Sequence, residues 1–298
     1  MSEVGNEDAN RQDRHWQDGS WESADGLQLH YRDYPGRADR PPILCIPGLT
    51  RNARDFEPVA DTFAGEWRVI VCELRGRGQS DYAKDTATYA PMQYVADIDA
   101  LLTKLGLEKV VAIGTSLGGI VSMLMAAQNA DRLAGVVLND IGPVLEKDGL
   151  ERIRDYVGQG RSYPTWMHAA RSLQETTGTA YPDYEISDWL VLAKRLMCVS
   201  GNGRITYDYD MKIAEPFAQQ NSDAQAVDMW PFFRALGGRP VLALRGELSD
   251  ILSAATLAQM AAELPELEAV VVPRVGHAPT LEEPASQEGI ARLLAKLA

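Results

Sequence analysis

The sequence has few cysteines and no long apolar run, and each shortage excludes a class of protein. Its three cysteines, Cys45, Cys72 and Cys198, form neither a disulfide framework nor a metal-binding spacing. No segment approaches the roughly 18 apolar residues that a membrane span needs. Residues 1–15 are polar and charged and lack the apolar core of a secretory signal. We therefore expect a cytoplasmic protein that does not enter a membrane.

Positively charged residues are also few compared with negatively charged ones. The 298 residues contain 29 Lys and Arg against 42 Asp and Glu, which gives a formal net charge of −13 at pH 7. A chain this acidic repels phosphate backbones and anionic lipid, so nucleic acid is not an expected partner. The expected partner is a small-molecule substrate. The oligomeric state stays open, and a homo-oligomer is compatible with the sequence.

Short apolar runs alternate with longer amphipathic runs over most of the chain. This alternation predicts an α/β fold, in which helices flank a mostly parallel central sheet. The first two runs lie on either side of Asp25 and Gly26 and have the spacing of an antiparallel hairpin instead. Further strands are predicted at residues 43–46, 68–74, 109–113, 133–139, 240–244 and 269–272, and helices at residues 91–105, 118–129 and 252–263.

The alternation stops between residues 141 and 234. No strong strand pattern occurs there, aromatic residues are frequent, and Pro and Gly interrupt the helical patterns. We interpret this segment as a helical cap inserted into the α/β core. The predicted organisation is a flexible tail at 1–15, a core formed by 16–140 and 235–298, and the cap at 141–234.

The motif Gly-Thr-Ser-Leu-Gly at residues 114–118 matches the pattern G-x-S-x-G. It directly follows a predicted strand and opens the helix at 118–129, as a strained strand-to-helix turn requires. Such a turn would expose the hydroxyl of Ser116 at the carboxyl end of the sheet. The helix N-terminus adds positive potential where an oxyanion would form. Ser116 is the candidate nucleophile, and a glycine-rich turn that merely caps a helix is the alternative.

A serine hydroxyl needs a base to become a good nucleophile. Of the four histidines, His15 lies in the polar tail, His30 in an early strand and His168 in the cap. His277 follows the last predicted strand, which would place it at the same sheet edge as Ser116. It also comes last in the chain order Ser, acid, His. His277 is therefore the candidate base, with a structural surface histidine as the alternative.

A third group, a carboxylate, should orient the imidazole and stabilise its charged form. Asp250 is the preferred candidate because it lies in the loop after the penultimate strand. Glu247, in the same loop, and Asp140, at the end of the strand before the cap, are the alternatives. No metal or organic cofactor is required for this chemistry.

An oxyanion hole needs two backbone N–H donors. One should come from Leu117, directly after the nucleophile. The other should come from Leu49, in the turn after the first parallel strand, where Gly48 allows the chain to turn.

These motifs resemble the α/β-hydrolase superfamily over nearly the whole chain. The resemblance rests on five motifs in order: Ile46-Pro47-Gly48, Arg75-Gly76-Arg77-Gly78-Gln79-Ser80, the Ser116 turn, Asp250 and Gly276-His277. The layout is similar to the branch that contains carboxylesterases, lactonases, carbon–carbon bond hydrolases of aromatic degradation, cofactor-free haloperoxidases and epoxide hydrolases.

Departures from that branch narrow the implied activity. Epoxide hydrolases and haloalkane dehalogenases carry Asp where this chain has Ser116, which argues against both activities. Carbon–carbon bond hydrolases usually carry Asn and Trp where this chain has Thr115 and Ala278. Glu73 replaces the Asp found in many relatives and is interpreted as structural.

The resemblance implies a serine hydrolase, most simply a carboxylic ester hydrolase acting on an ester or lactone. The alternatives are a carbon–carbon bond hydrolase acting on a vinylogous diketone and a non-catalytic small-ligand receptor. The aromatic cap favours a largely apolar substrate. Candidate substrate contacts in the cap are Trp166, His168, Trp189 and Tyr207, with aromatic packing in the core as the alternative. Arg195 or Lys212 could meet a substrate carboxylate, with solvated surface cations as the alternative.

Overall fold

A computed structural model describes residues 15–219 and 227–298. The strands in these ranges are β1 (Gln17–Glu22), β2 (Gln28–Tyr34), β3 (Ile43–Ile46), β4 (Val69–Cys72), β5 (Val110–Thr115), β6 (Leu133–Asn139), β7 (Ser162–Tyr163), β8 (Met197–Val199), β9 (Ile205–Tyr207), β10 (Val241–Gly246) and β11 (Leu267–Val272). The α-helices are α1 (Glu57–Phe63), α2 (Pro91–Lys104), α3 (Leu117–Gln128), α4 (Lys147–Tyr156), α5 (Trp166–Thr177), α6 (Ile186–Leu196), α7 (Ala214–Gln219), α8 (Trp230–Arg234), α9 (Ala254–Glu263) and α10 (Pro284–Ala295). Short 3₁₀-helices occupy Ala53–Phe56, Thr86–Thr88, Ala130–Arg132, Gly178–Ala180 and Met211–Ile213.

The central sheet has the strand order β1-β2-β4-β3-β5-β6-β10-β11. Strand β2 pairs antiparallel with β1 and β4, and the remaining neighbours pair in parallel. The predicted α/β fold with a mostly parallel sheet is confirmed. Because parallel strands end at the same edge, the loops after β3, β5, β6, β10 and β11 meet there, as ligand sites in such sheets require.

The central strands are apolar on both sides because helices cover both faces of the sheet. Every residue of β3 is fully buried, and successive side chains enter different clusters, Ile43 and Cys45 one and Leu44 and Ile46 the other. Helices α2, α3 and α9 pack in the cluster of Leu44, whereas α1 and α10 pack in the cluster of Ile43. No described helix is both long and apolar enough to cross a membrane.

The segment between β6 and β10 contains helices α4 to α8, together with a small antiparallel sheet in the order β7-β9-β8. The expectation of a segment without strands was therefore incomplete. These strands are two or three residues long, too short for an alternating pattern to reveal. The division into core and cap stays a prediction. The predicted tail lies outside the described residues, apart from His15.

Candidate active site

Ser116 occupies a strained turn between β5 and α3. Its backbone has φ 51° and ψ −114°, a conformation that a residue with a side chain rarely adopts. The turn is tight because a Cβ at Gly114 would lie 2.4 Å from the backbone of Gly118. A Cβ at Gly118 would in turn lie 2.0 Å from the carbonyl oxygen of Ile46. The two motif glycines therefore let α3 pack directly against β5 and β3.

His277 reaches Ser116 from the loop after β11. Its Nε2 atom lies 3.0 Å from Ser116 Oγ, within hydrogen-bond distance, although 161 residues separate the two in sequence. The imidazole is largely buried, with 9% of the side chain exposed. The structure thus brings together the two residues that the sequence predicts as nucleophile and base.

The carboxylate next to His277 is Asp140, which corrects the preference for Asp250. Asp140 Oδ2 lies 2.8 Å from His277 Nδ1, and the side chain is fully buried. Asp140 directly follows β6, and its φ of 55° turns the side chain sharply out of the strand direction. Its backbone N–H donates to the carbonyl oxygen of Leu244 on β10 at 2.8 Å, which fixes the turn.

Asp250 forms its side-chain hydrogen bonds with Arg152 on α4, and the charge of His277 contributes less to lowering its pKa than Arg152 does. Arg152 donates through Nε at 2.5 Å and through Nη2 at 2.8 Å, and 37% of the Asp250 side chain is exposed. Burial alone would raise the pKa of Asp250, but the hydrogen bonds and positive charge of Arg152 outweigh it and lower this pKa. Asp250 is thus already neutralised by a partner other than His277.

The loop after β10 supports Asp140 rather than supplying the carboxylate itself. The N–H of Gly246 donates to Asp140 Oδ1 at 2.8 Å, and the hydroxyl of Ser249 donates to Asp140 Oδ2 at 2.6 Å. Glu247, the other alternative, accepts a hydrogen bond from the N–H of Arg274 at 2.7 Å. The sequence analysis did not identify Ser249 as a residue of the site. Its position in the loop after β10, one residue before Asp250, was the signal that could have identified it.

The two predicted oxyanion donors flank Ser116. Leu117 is the first residue of α3, where backbone N–H groups have no acceptor within the helix. On the other side, a Cβ at Gly48 would lie 3.7 Å from Ser116 Cβ, so the turn that carries Leu49 contacts the nucleophile. The fully buried Arg77 holds this turn, since its Nε donates to the carbonyl oxygen of Leu49 at 2.9 Å. The donor roles of Leu49 and Leu117 stay predictions.

Glu73 links the chain segments at Ala53 and Gln79 with His30 on β2. Its buried carboxylate accepts hydrogen bonds from the N–H groups of Ala53 at 3.0 Å and Gln79 at 2.7 Å, and lies 2.9 Å from His30 Nδ1. Burial alone would raise the pKa of Glu73, but its contact with His30 and these N–H bonds lower it. The geometry agrees with the interpretation of Glu73 as structural.

Trp189, one of the predicted substrate contacts, is buried with 1% of its surface exposed. Its ring packs edge-on against Tyr181 and Tyr184, with centroids 5.9 and 5.3 Å away. The hydroxyl of Tyr181 donates to the carbonyl oxygen of Ala278 at 2.8 Å. Trp189 therefore supports the loop that carries His277, a role that its sequence position did not indicate.

The other three predicted contacts differ in exposure. His168 is exposed on α5, and its Nδ1 lies 2.8 Å from the hydroxyl of Thr165, the residue that caps this helix. Trp166 and Tyr207 are half-buried against the apolar clusters. Substrate contact by Trp166, His168 and Tyr207 stays a prediction.

Comparison with known proteins agrees with this architecture. The family model described as the alpha/beta hydrolase fold matches residues 41–284. The 3-hydroxybutyrate-oligomer hydrolase of Cupriavidus necator is 35% identical over 264 residues, which cover 87% of this chain and 89% of that protein. The 2-(acetamidomethylene)succinate hydrolase of Mesorhizobium japonicum is 28% identical over 237 residues, covering 80% of this chain and 81% of the relative.

A solved structure is still more similar. The crystal structure of an alpha/beta hydrolase from Novosphingobium aromaticivorans superposes with a TM-score of 0.91 at 59% sequence identity, covering 95% of this chain and 99% of that one. The family model spans more than half of the chain, and the Cupriavidus relative is similar over most of both lengths. The chain therefore belongs to the α/β-hydrolase family.

Proposed function

We propose that this protein is a serine hydrolase that cleaves carboxylic esters through an acyl-enzyme intermediate. The observation that carries the proposal is the continuous contact from Ser116 Oγ to His277 Nε2 at 3.0 Å and from His277 Nδ1 to Asp140 at 2.8 Å. A nucleophile, a base and an orienting carboxylate in this geometry are the groups that acyl transfer needs.

In the proposed reaction, Ser116 Oγ attacks the ester carbonyl carbon while His277 Nε2 takes the hydroxyl proton. The N–H groups of Leu117 and Leu49 bind the negative oxygen of the tetrahedral intermediate. The carbon–oxygen bond to the leaving group then breaks, and His277 gives its proton to the departing alkoxide. Water, activated by His277, attacks the acyl-enzyme and releases the acid and the free serine.

Asp140 acts in this scheme through His277. It accepts a hydrogen bond from Nδ1–H of His277, which leaves Nε2 free to take the proton of Ser116, and it stabilises the imidazolium that forms. The carboxylate is suited to this role because Gly246 and Ser249 hold it in one orientation in a fully buried position.

The substrate class that we propose is a short linear oligoester of a hydroxy acid. The support is the Cupriavidus relative, named as a 3-hydroxybutyrate-oligomer hydrolase and similar over 89% of its length. An oligomer of 3-hydroxybutyrate contains the ester bonds that the proposed mechanism cleaves. Its small aliphatic units also fit the apolar substrate that the sequence favours.

The test is hydrolysis of the 3-hydroxybutyrate dimer and of p-nitrophenyl butyrate by the wild-type protein and Ser116→Ala. We expect Ser116→Ala to lower kcat by at least about 10⁴-fold for both esters and to lose labelling by a fluorophosphonate. The matched control is Ser187→Ala, which removes an exposed hydroxyl on α6. Ser116→Ala activity within tenfold of wild type would contradict the proposal. Labelling of Ser116 without ester hydrolysis would favour another acyl substrate.

A further inference from the structure

Arg51 lies beside Ser116, in the turn after β3 that also carries the predicted oxyanion donor Leu49. Its N–H donates to the carbonyl oxygen of Gly48 at 3.2 Å, which closes the turn after β3. A Cβ at Gly48 would lie 3.3 Å from Arg51 Cγ and 3.7 Å from Ser116 Cβ, so the stem of the arginine and the proposed nucleophile contact the same glycine. The Arg51 side chain therefore begins at the reaction centre.

The guanidinium of Arg51 enters a small cavity at the edge of the sheet. Thr115 and Ala278, the residues next to Ser116 and His277 in sequence, line this cavity. The charged residues that line it are Arg51, Asp55 and Arg195. Four-fifths of the Arg51 side chain is buried. The cavity thus adjoins the proposed catalytic pair and presents a largely desolvated cation to whatever fills it.

Arg51 has a carboxylate neighbour, Asp55. Burial alone would lower the pKa of Arg51, but the charge of Asp55 and the other groups around the guanidinium outweigh burial and raise this pKa. Arg51 Nη1 lies 3.3 Å from Asp55 Oδ1, a long single contact, and Asp55 also faces Arg195. The other groups that interact with Arg51 include the phenols of Tyr156 and Tyr181. Burial raises the pKa of both phenols, so neither carries charge at neutral pH. A guanidinium has five N–H donors in a planar fork, so the single contact with Asp55 does not exclude a second carboxylate.

Arg152 and Arg195 have closer carboxylate partners than Arg51 has. Arg152 binds Asp250 through two hydrogen bonds, and Arg195 binds Glu282. Lys212, a candidate from the sequence, is exposed. A buried guanidinium with one long carboxylate contact can still be stabilised by a ligand that supplies a second carboxylate. In a chain of net charge −13, such a cation also offsets the repulsion of an anionic substrate.

We propose that Arg51 binds a free carboxylate of the substrate and selects esters whose alcohol portion carries that carboxylate. This inference rests on the proposed ester hydrolysis and narrows its substrate class to carboxylate-ended hydroxy-acid esters. Arg51 is a specificity-determining residue in this scheme, because its planar fork can bind both carboxylate oxygens. In a 3-hydroxybutyrate ester, three carbons of the leaving hydroxy acid separate the ester oxygen from the carboxylate oxygens. A carboxylate held beside Ser116 would therefore place the last ester bond against the nucleophile.

The test compares the 3-hydroxybutyrate dimer as the free acid with its methyl ester, which is neutral and nearly the same shape. We expect wild type to prefer the acid, and Arg51→Gln to lower the acid-to-methyl-ester ratio of kcat/KM at least about tenfold, mainly through a higher KM for the acid. Arg51→Lys should restore part of the ratio, since it keeps the charge without the fork.

Two further variants keep the inference open to contradiction if Arg51→Gln does not fold. The matched control is Arg234→Gln, which removes an exposed cation paired with Glu263 on α9 and should leave the ratio within about threefold of wild type. Asp55→Asn should raise the preference for the acid, because it removes the carboxylate that competes for Arg51. An unchanged ratio in Arg51→Gln and Arg51→Lys, or an equal loss in Arg234→Gln, would overturn the inference.

A binding measurement separates this inference from the proposed function. Calorimetric titration of Ser116→Ala with the acid dimer should show binding that adding Arg51→Gln weakens at least about tenfold, whereas binding of the methyl ester should change less. If binding depends on the carboxylate and wild type does not hydrolyse the dimer, Arg51 is an anion site and the proposed esterase activity is wrong. If wild type hydrolyses the acid and the methyl ester equally well, the proposed esterase activity stands and the proposed role of Arg51 is wrong.

Discussion

Two neighbouring loops at the same sheet edge each carry an aspartate, and the two aspartates have opposite environments. Asp140, after β6, is fully buried, lies against His277, and accepts hydrogen bonds from Gly246 and Ser249. Asp250, after β10, is 37% exposed and bound to Arg152. Both positions follow strands that point at the same edge, so strand position alone does not distinguish them.

This difference indicates that a carboxylate suited to orienting a histidine is identified by the hydrogen-bond donors around it. A buried carboxylate without hydrogen bonds is strongly disfavoured, so the fold must supply donors wherever it buries one. The loop after β10 supplies two to Asp140. Asp250 keeps solvent contact and a counter-ion, which are the conditions of a surface ion pair.

The variant with the largest expected effect is Asp140→Asn, which tests whether Asp140 is the carboxylate that orients His277. We expect kcat for ester hydrolysis to fall by about 10³–10⁴-fold with little change in KM, because an amide can hold the imidazole in the wrong tautomer and cannot stabilise its charge. The measurement is steady-state kinetics on p-nitrophenyl butyrate, together with the rate of fluorophosphonate labelling, which should fall in parallel.

The control for this change is Asp250→Asn, which we expect to alter kcat by no more than about threefold, since Asp250 is paired with Arg152. Thermal unfolding of both variants separates a loss of function from a loss of fold. A larger loss of kcat in Asp250→Asn than in Asp140→Asn would reverse the assignment of the two carboxylates.

A smaller effect is expected from Ser249→Ala, which sharpens the comparison by removing one donor from Asp140. A hydrogen bond to a charged group contributes about 1.5–3 kcal/mol, of which only part reaches the transition state, so we expect kcat to fall about tenfold. Ser249→Thr should retain most of the activity because it keeps the hydroxyl. Equal kinetics for Ser249→Ala and wild type would show that the N–H of Gly246 is sufficient to orient Asp140.

The sequence predicted the parts of the site that depend on strand endings and chain order. Ser116 lies in a motif whose glycines permit close packing, and His277 follows the last strand, so the sheet topology alone brings them to one edge. The choice between Asp140 and Asp250 depends on the direction in which each side chain leaves its loop. That direction is set by the positive φ at Asp140 and the partner at Asp250, neither of which a single sequence displays.

The same limit applies to the inserted segment. Its aromatic composition indicated apolar packing, and Trp189 does pack against Tyr181 and Tyr184. Which aromatic side chains face a substrate depends on how the helices sit over the sheet edge, a tertiary property. The sequence analysis did not identify Arg51 for a related reason. Its proposed role depends on the cavity and the charged side chains that surround it in the fold, which its position in a turn does not indicate.

The smallest expected effect concerns the stability that the Asp250–Arg152 pair contributes. The pKa of Asp250 in the folded protein lies below its ordinary value of 3.8, so the pair stabilises the fold above that pH and loses this contribution as the pH falls through the lowered pKa. Because Asp250 is 37% exposed, solvent screening limits the contribution to below about 1 kcal/mol. Chemical denaturation of wild type and Asp250→Asn should therefore give a small, constant difference in the free energy of unfolding near neutral pH and a shrinking difference below pH 3.8. Arg152→Gln should reduce this pH dependence of the difference, since Arg152 lowers the pKa of Asp250 more than the charge of His277 does. A difference that widens as the pH falls would mean that Asp250 is held by something other than Arg152, and the contrast between the two aspartates would need another cause.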